Sequence, residues 1–184
     1  MLSSISRYFC AFLLLTSLTT LGTAVQAESK AALEGSSRQA LSALIKENPS
    51  AAALNDKSIA VLVFPKVTKA GLIVGGQYGE GVLWRDGKAV GFYNTAGASV
   101  GFQAGAQEFG YALFFMKDSA LKALDTAQGF EVGVGPTIVV MDKGMAVSRT
   151  TTTIQNDIYA FIFDQRGLMA GLGIQGNKIT KINK

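Results

Sequence analysis

Between Ile59 and Trp84 the chain reads IAVLVFPKVTKAGLIVGGQYGEGVLW, and no other stretch restricts its folding so strongly. Ile59 to Phe64 is an unbroken apolar run rich in β-branched residues and closed by Pro65. A run of that length and make-up predicts a strand buried on both faces. Lys66-Val67-Thr68-Lys69 then reads as a basic turn. Glycines follow at 71, 75, 76, 79 and 81. Glycine weakens strands, so a fold keeps this many only where backbone curves sharply or approaches another group closely.

From residue 59 onward the dominant signal is alternation. Ala98, Val100, Phe102, Ala104 and Ala106 share one face, against Ser99, Gly101, Gln103, Gly105 and Gln107. Phe109, Tyr111, Leu113 and Phe115 repeat the pattern, as do Val132 and Val134, and Leu168, Ala170, Leu172 and Ile174. Period two over so many segments predicts a mostly antiparallel sheet. Turns are expected at Arg85-Asp86-Gly87-Lys88, Asp142-Lys143-Gly144, Asp164-Gln165-Arg166-Gly167 and Gln175-Gly176-Asn177-Lys178. Thr150 to Thr153 is expected as an exposed edge strand or loop.

Two helical signals complete the reading. Residues 29–48 form an amphipathic pattern with Ser29 as cap and Leu33, Ala40, Leu41, Leu44 and Ile45 on one face, ended by Asn48-Pro49. That face lacks the aromatic and dense basic residues of a membrane anchor, so packing on the domain is expected. Pro49 to Asp56 predicts a short second helix. Asp118 to Gln128 predicts the interior helix, with Asp118 as cap and Gly129 ending it. The expected fold class is α+β: a strongly curved, mostly antiparallel, glycine-rich sheet, partly closed like a barrel, with an N-terminal amphipathic helix and one interior helix.

Composition sets the compartment and narrows the chemistry. Arg7 is followed by the apolar run Ala11 to Leu21 and the small-residue site Val25-Gln26-Ala27. That run is shorter than the roughly 20 residues a spanning helix needs, so residues 1–27 read as a cleavable secretory signal peptide and 28–184 as one domain. The expected location is periplasmic or secreted, peripheral to a membrane. Cys10, the one cysteine, lies in the leader, and the chain contains no histidine. The mature domain thus lacks disulfides, the commonest metal ligands and the commonest general base, and no cofactor or metal is expected. Without Arg7, 16 basic residues stand against 13 acidic, a formal +3. So mild an excess argues against nucleic acid as a partner.

Motifs that resemble catalytic ones lack their context. Gly97-Ala98-Ser99-Val100-Gly101 fits G-x-S-x-G, but a nucleophile elbow needs a strand–turn–helix setting and a base. Gly171-Leu172-Gly173-Ile174-Gln175-Gly176 fits G-x-G-x-x-G, yet eight residues after Gly176 leave no room for the helix and strand of a dinucleotide site. The residues favour a binding or structural module over an enzyme. The candidate contacts are basic and aromatic: Lys66 and Lys69 at the first turn, Arg85 and Lys88 at the next, and Trp84 beside Arg85. Trp84 reads either as a headgroup-interface residue or as an ordinary strand-end tryptophan. Whether the two basic pairs meet depends on strand register.

The string Val63 to Gly81, with Val90-Gly91-Phe92-Tyr93, Ser99-Val100-Gly101-Phe102-Gln103-Ala104-Gly105 and Arg166-Gly167-Leu168-Met169-Ala170-Gly171, resembles the SYLF-domain family in sequence and order. The resemblance runs from about Leu33 to Ile179. It implies non-catalytic binding of anionic, phosphoinositide-like phospholipid headgroups, with basic residues and an N-terminal amphipathic helix taking part. The family's Lys-Ala-Gly element falls on Lys69, Ala70 and Gly71, and lipid contact carries over to Lys66 and Lys69 alone. Actin binding, found in some fungal members, is not expected beside a signal peptide and without an appended SH3 or FYVE-type module. The alternative is a structural or protein-interaction module of the envelope with no lipid role.

Overall fold

A computed structural model describes residues 28–71, 74–100, 105–126, 129–141, 156–167, 174 and 176–184. The expected signal peptide, the expected Asp142–Gly144 turn, the Thr150–Thr153 patch, most of the 168–174 alternation and the 101–104 part of the 98–106 alternation lie outside these residues. Two helices lead, α1 (Lys30–Glu47) and α2 (Pro49–Asn55). Then come β1 (Ala60–Gly71), β2 (Val74–Arg85), β3 (Lys88–Val100), β4 (Gly105–Phe115), α3 (Asp118–Ala123), β5 (Phe130–Glu131), β6 (Ile138–Met141), β7 (Ile158–Gly167) and β8 (Lys178–Ile182).

Among the described residues the strands form one curved sheet in the order β5-β8-β3-β2-β1-β4-β7-β6. Every pairing is antiparallel except β6 with β7. The α+β expectation holds.

β1 is the spine. Ala60 to Phe64 are all buried. Ala60, Leu62 and Phe64 enter an inner core with Tyr111, Leu113, Phe115 and α3's Ala120. Val61 and Val63 face outward into a second core beneath α1 and α2, with Leu33, Leu44, Leu54 and Trp84.

The expected basic turn at Lys66–Lys69 is not there. β1 passes through Pro65 in a bulge and continues to Gly71. Proline has no N–H to give a ladder, and a bulge is where one can be spared. The extra residue also resets the alternation: Val67 returns to the inner core, and Lys66 is turned out instead of in. Gly81 sits opposite, between Val63↔Val82 and Lys66↔Glu80. A Cβ there would lie 2.6 Å from both Val63 O and the Phe64 ring, so only glycine lets β2 close on the bulge.

The helices follow their caps. Ser29 Oγ accepts from Ala32 N–H at 3.3 Å. Asn48 ends α1 with its own N–H to Leu44 O and starts α2 with Oδ1 accepting from Ser50 and Ala51. Leu33 and Leu44 are buried as expected, but Ser37, between them on the same face, is buried too. α3 is shorter than expected, and its cap is Lys117, which makes no capping side-chain bond. Asp118 lies in the first turn, where a carboxylate suits the helix dipole. Asp164–Gly167 is a further correction: these residues belong to β7, with Asp164 at positive φ in a bulge opposite Glu108–Gly110.

Candidate functional site

The site forms where α1 crosses the β2–β3 hairpin. Asp86 and Gly87, at φ 50° and 71°, make the two-residue turn that pairs Arg85 with Lys88, as the sequence predicts. Aspartate and glycine tolerate this left-handed backbone, which matches the strand twist. The turn brings Trp84 under α1.

Trp84 is 6% exposed. Its Nε1–H donates to Ser37 Oγ at 2.9 Å, and Ser37 Oγ in turn donates to Val63 O at 3.5 Å. The Arg38 guanidinium stacks 4.5 Å above the Trp84 ring, and its Nη2 donates to Gly87 O at 3.4 Å. A buried indole needs its N–H paired, and Ser37 provides the acceptor. A headgroup-facing Trp84 is therefore corrected: the ring is packed against the domain, with Arg38 covering it.

Beside this stack lies an open groove of about 690 Å³. Leu41, Ile45, Ile59 and Trp84 give it apolar surface; Arg38, Lys46 and Arg85 supply positive charge, against Asp56 and Asp86. Lysine and arginine beside apolar side chains suit an amphiphile whose anionic end stays wet. Among the described residues no group of three or more His, Cys, Asp or Glu is placed to hold a metal ion. Ser99 lies near the end of β3, in a strand rather than an elbow.

The predicted site residues thus divide. Trp84 and Arg85 enter the groove, with Lys88 across the turn from Arg85. Lys66 and Lys69 do not join them. Lys66 pairs with Glu80 and Lys69 with Gln77, five and eight residues from Arg85 along β2, or about 17 and 26 Å. Within one uninterrupted register they also face opposite sides of the sheet. Lys66 is exposed and salt-bridged to Glu108 at 2.6 Å.

Arg38 and Lys46 were missed because they read as the solvated side of an amphipathic helix. One signal could have found Arg38: it follows Ser37, the polar residue interrupting the apolar face between Leu33 and Leu44.

A family model described as Ysc84, Las17-binding protein actin regulator, matches residues 96–184, from the second half of β3 to the C-terminal strand. No curated protein sequence matches the chain. The match leaves out α1, β1, β2 and every residue that lines the groove, so it bears on the sheet's second half and not on the groove. Over those 89 residues, the chain is similar to the Ysc84 family.

Proposed function

We propose that the protein binds anionic phospholipid headgroups at a membrane surface, without catalysis, through the groove between α1 and the β2–β3 hairpin. The observation that carries the reading is the meeting of the apolar side chains Leu41, Ile45 and Ile59 with three cationic ones, Arg38, Lys46 and Arg85, from two elements. The SYLF-like sequence blocks and the Ysc84-family match support it. Each cation near an anionic surface contributes about 1 kcal/mol, about a fivefold gain in partitioning before screening. The leader-like composition of residues 1–27 favours action outside the cytoplasm, on an envelope membrane or after release. No described helix is long and apolar enough to cross a bilayer.

Vesicle co-sedimentation tests the reading. Vesicles rich in phosphatidylglycerol should pellet the protein and phosphatidylcholine vesicles should not, with binding lost as salt rises. Lys46→Gln with Arg85→Gln should weaken it at least tenfold. Equal pelleting with neutral vesicles would count against the proposal. A second reading, a protein-interaction module, is favoured by the Las17-binding description of the matched family. It predicts a cross-linked partner and no vesicle binding.

A further inference from the structure

Elsewhere on the described surface four lysines find carboxylates. Lys66 pairs with Glu108, Lys117 with Asp157, Lys181 with Asp125 and Lys184 with Glu80, each at 3.0 Å or less. The groove beneath α1 is different. Five charged side chains line it: Arg38 and Lys46 of α1, Asp56 just after α2, and Arg85 and Asp86 of the hairpin. All five are exposed, and among the described residues none forms an ion pair with another. Arg38 is held by the Trp84 ring and Gly87 O. The side chains of Lys46, Asp56, Arg85 and Asp86 have no partner among the described residues. Three positive charges against two negative leave the groove at a net +1.

Free charges of both signs in one groove constrain a ligand more tightly than three cations do. A phosphate serves Arg38, Lys46 and Arg85, whose charged groups only donate hydrogen bonds. It does nothing for Asp56 and Asp86, which accept hydrogen bonds and repel an anion. A phosphomonoester, with a charge of about −2, meets the most repulsion. A choline headgroup brings a positive charge but no N–H. A primary ammonium beside the phosphate serves the carboxylates with both charge and donors, in bonds roughly twice as strong as a neutral hydroxyl gives. The groove's volume of about 690 Å³ lies within the roughly 300–1,000 Å³ of small-ligand sites. Leu41, Ile45 and Ile59 offer contacts that an acyl chain uses and a free headgroup does not.

We propose that the groove selects phospholipids whose headgroup joins a phosphodiester to a primary ammonium, the serine and ethanolamine class. Arg38, Lys46 and Arg85 take the phosphate, and Asp56 and Asp86 take the ammonium. The proposal rests on the lipid reading above and gives its two carboxylates a role. Phosphatidylserine, with a further carboxylate and a net charge opposite to the groove's, is the expected best ligand. Co-sedimentation with the whole protein tests this. Phosphatidylcholine vesicles carrying equal fractions of phosphatidylserine or phosphatidylglycerol have matched surface charge, so long-range attraction is the same for both. The serine lipid should bind about fivefold more tightly or better. Asp56→Asn with Asp86→Asn keeps side-chain shape, and asparagine tolerates the left-handed backbone of residue 86, so Tm should hold. That double variant should bind phosphatidylglycerol more tightly, having lost two negative charges, while its preference for the serine lipid disappears. Equal binding of the two lipids by the parent protein would overturn the proposal. So would a double variant that strengthens both by the same factor, as when the carboxylates are merely solvated. Binding to neither vesicle would remove the lipid reading itself, an outcome distinct from lost selectivity.

Discussion

The sheet has two ends, and they differ in what covers them. At the β2–β3 hairpin end, Ala60–Phe64, Val82–Trp84 and Ala112–Phe115 are buried on both faces, between α1 with α2 outside and α3 inside. Beyond Pro65 the same strands open out. Thr68, Ala70, Val74, Gly76 and Tyr78 line an outer face that no described helix covers, and Val74 is 68% exposed. The boundary is the bulge at Pro65 with Gly81 against it. One inserted residue changes a strand with two buried faces into one with an exposed outer face, and it does so by geometry as much as by composition.

The sharpest way to break the comparison is at that boundary. Gly81→Val would press a side chain into Val63 O and the Phe64 ring. It should cost about 3 kcal/mol, some 6–12 °C in Tm by thermal melt. Gly87→Ala serves as the control, because nothing lies within 4 Å of its Cβ and only the positive φ is strained. About 1 kcal/mol is expected there.

Next in size is the packed end's own polar link. Ser37→Ala strands the Trp84 N–H in a buried site, which should cost about 1–3 kcal/mol in urea melts. Adding Trp84→Phe should recover part of that loss, and a double-mutant cycle measures the coupling. Simple additivity of the two changes would show that the bond contributes nothing.

Asp157 offers a pH-dependent test outside the groove's lining. Its carboxylate accepts from Lys117 Nζ at 2.7 Å and from the Thr137 N–H and Oγ1, holding its pKa down to about 2. A depressed folded-state pKa stabilises above the unfolded value, near 3.8, and that contribution fades as pH falls toward 2. Asp157→Asn should therefore lower Tm at neutral pH and flatten its fall between about pH 4 and 2. A parallel fall in both proteins would refute the assignment. Smallest of all, Lys66→Gln should change stability by under about 1 kcal/mol, because its pair with Glu108 is exposed.

How much of this was legible in the chain follows from what periodicity encodes. The two-faced strand at 60–64, the capped helix at 30–47 and the Asp86-Gly87 hairpin are local patterns, and all are present. The bulges at Pro65 and Asp164 look like turns in sequence, since proline, glycine and aspartate serve both; pairing with a distant partner decides between them. The groove was half legible. Trp84 and Arg85 stood out as an aromatic–basic pair, but Arg38 and Lys46 acquire their place only when α1 lies across the hairpin.

Trp84 is the one tryptophan in the chain and forms part of the groove's wall beneath Arg38, so its emission reports on the central claim. Titrating phosphatidylglycerol vesicles with brominated acyl chains should quench Trp84, with the effect lost in high salt and weakened in Lys46→Gln with Arg85→Gln. Protein that pellets with those vesicles while Trp84 emission stays unchanged would contradict the account, because the membrane would then be held somewhere other than beneath α1.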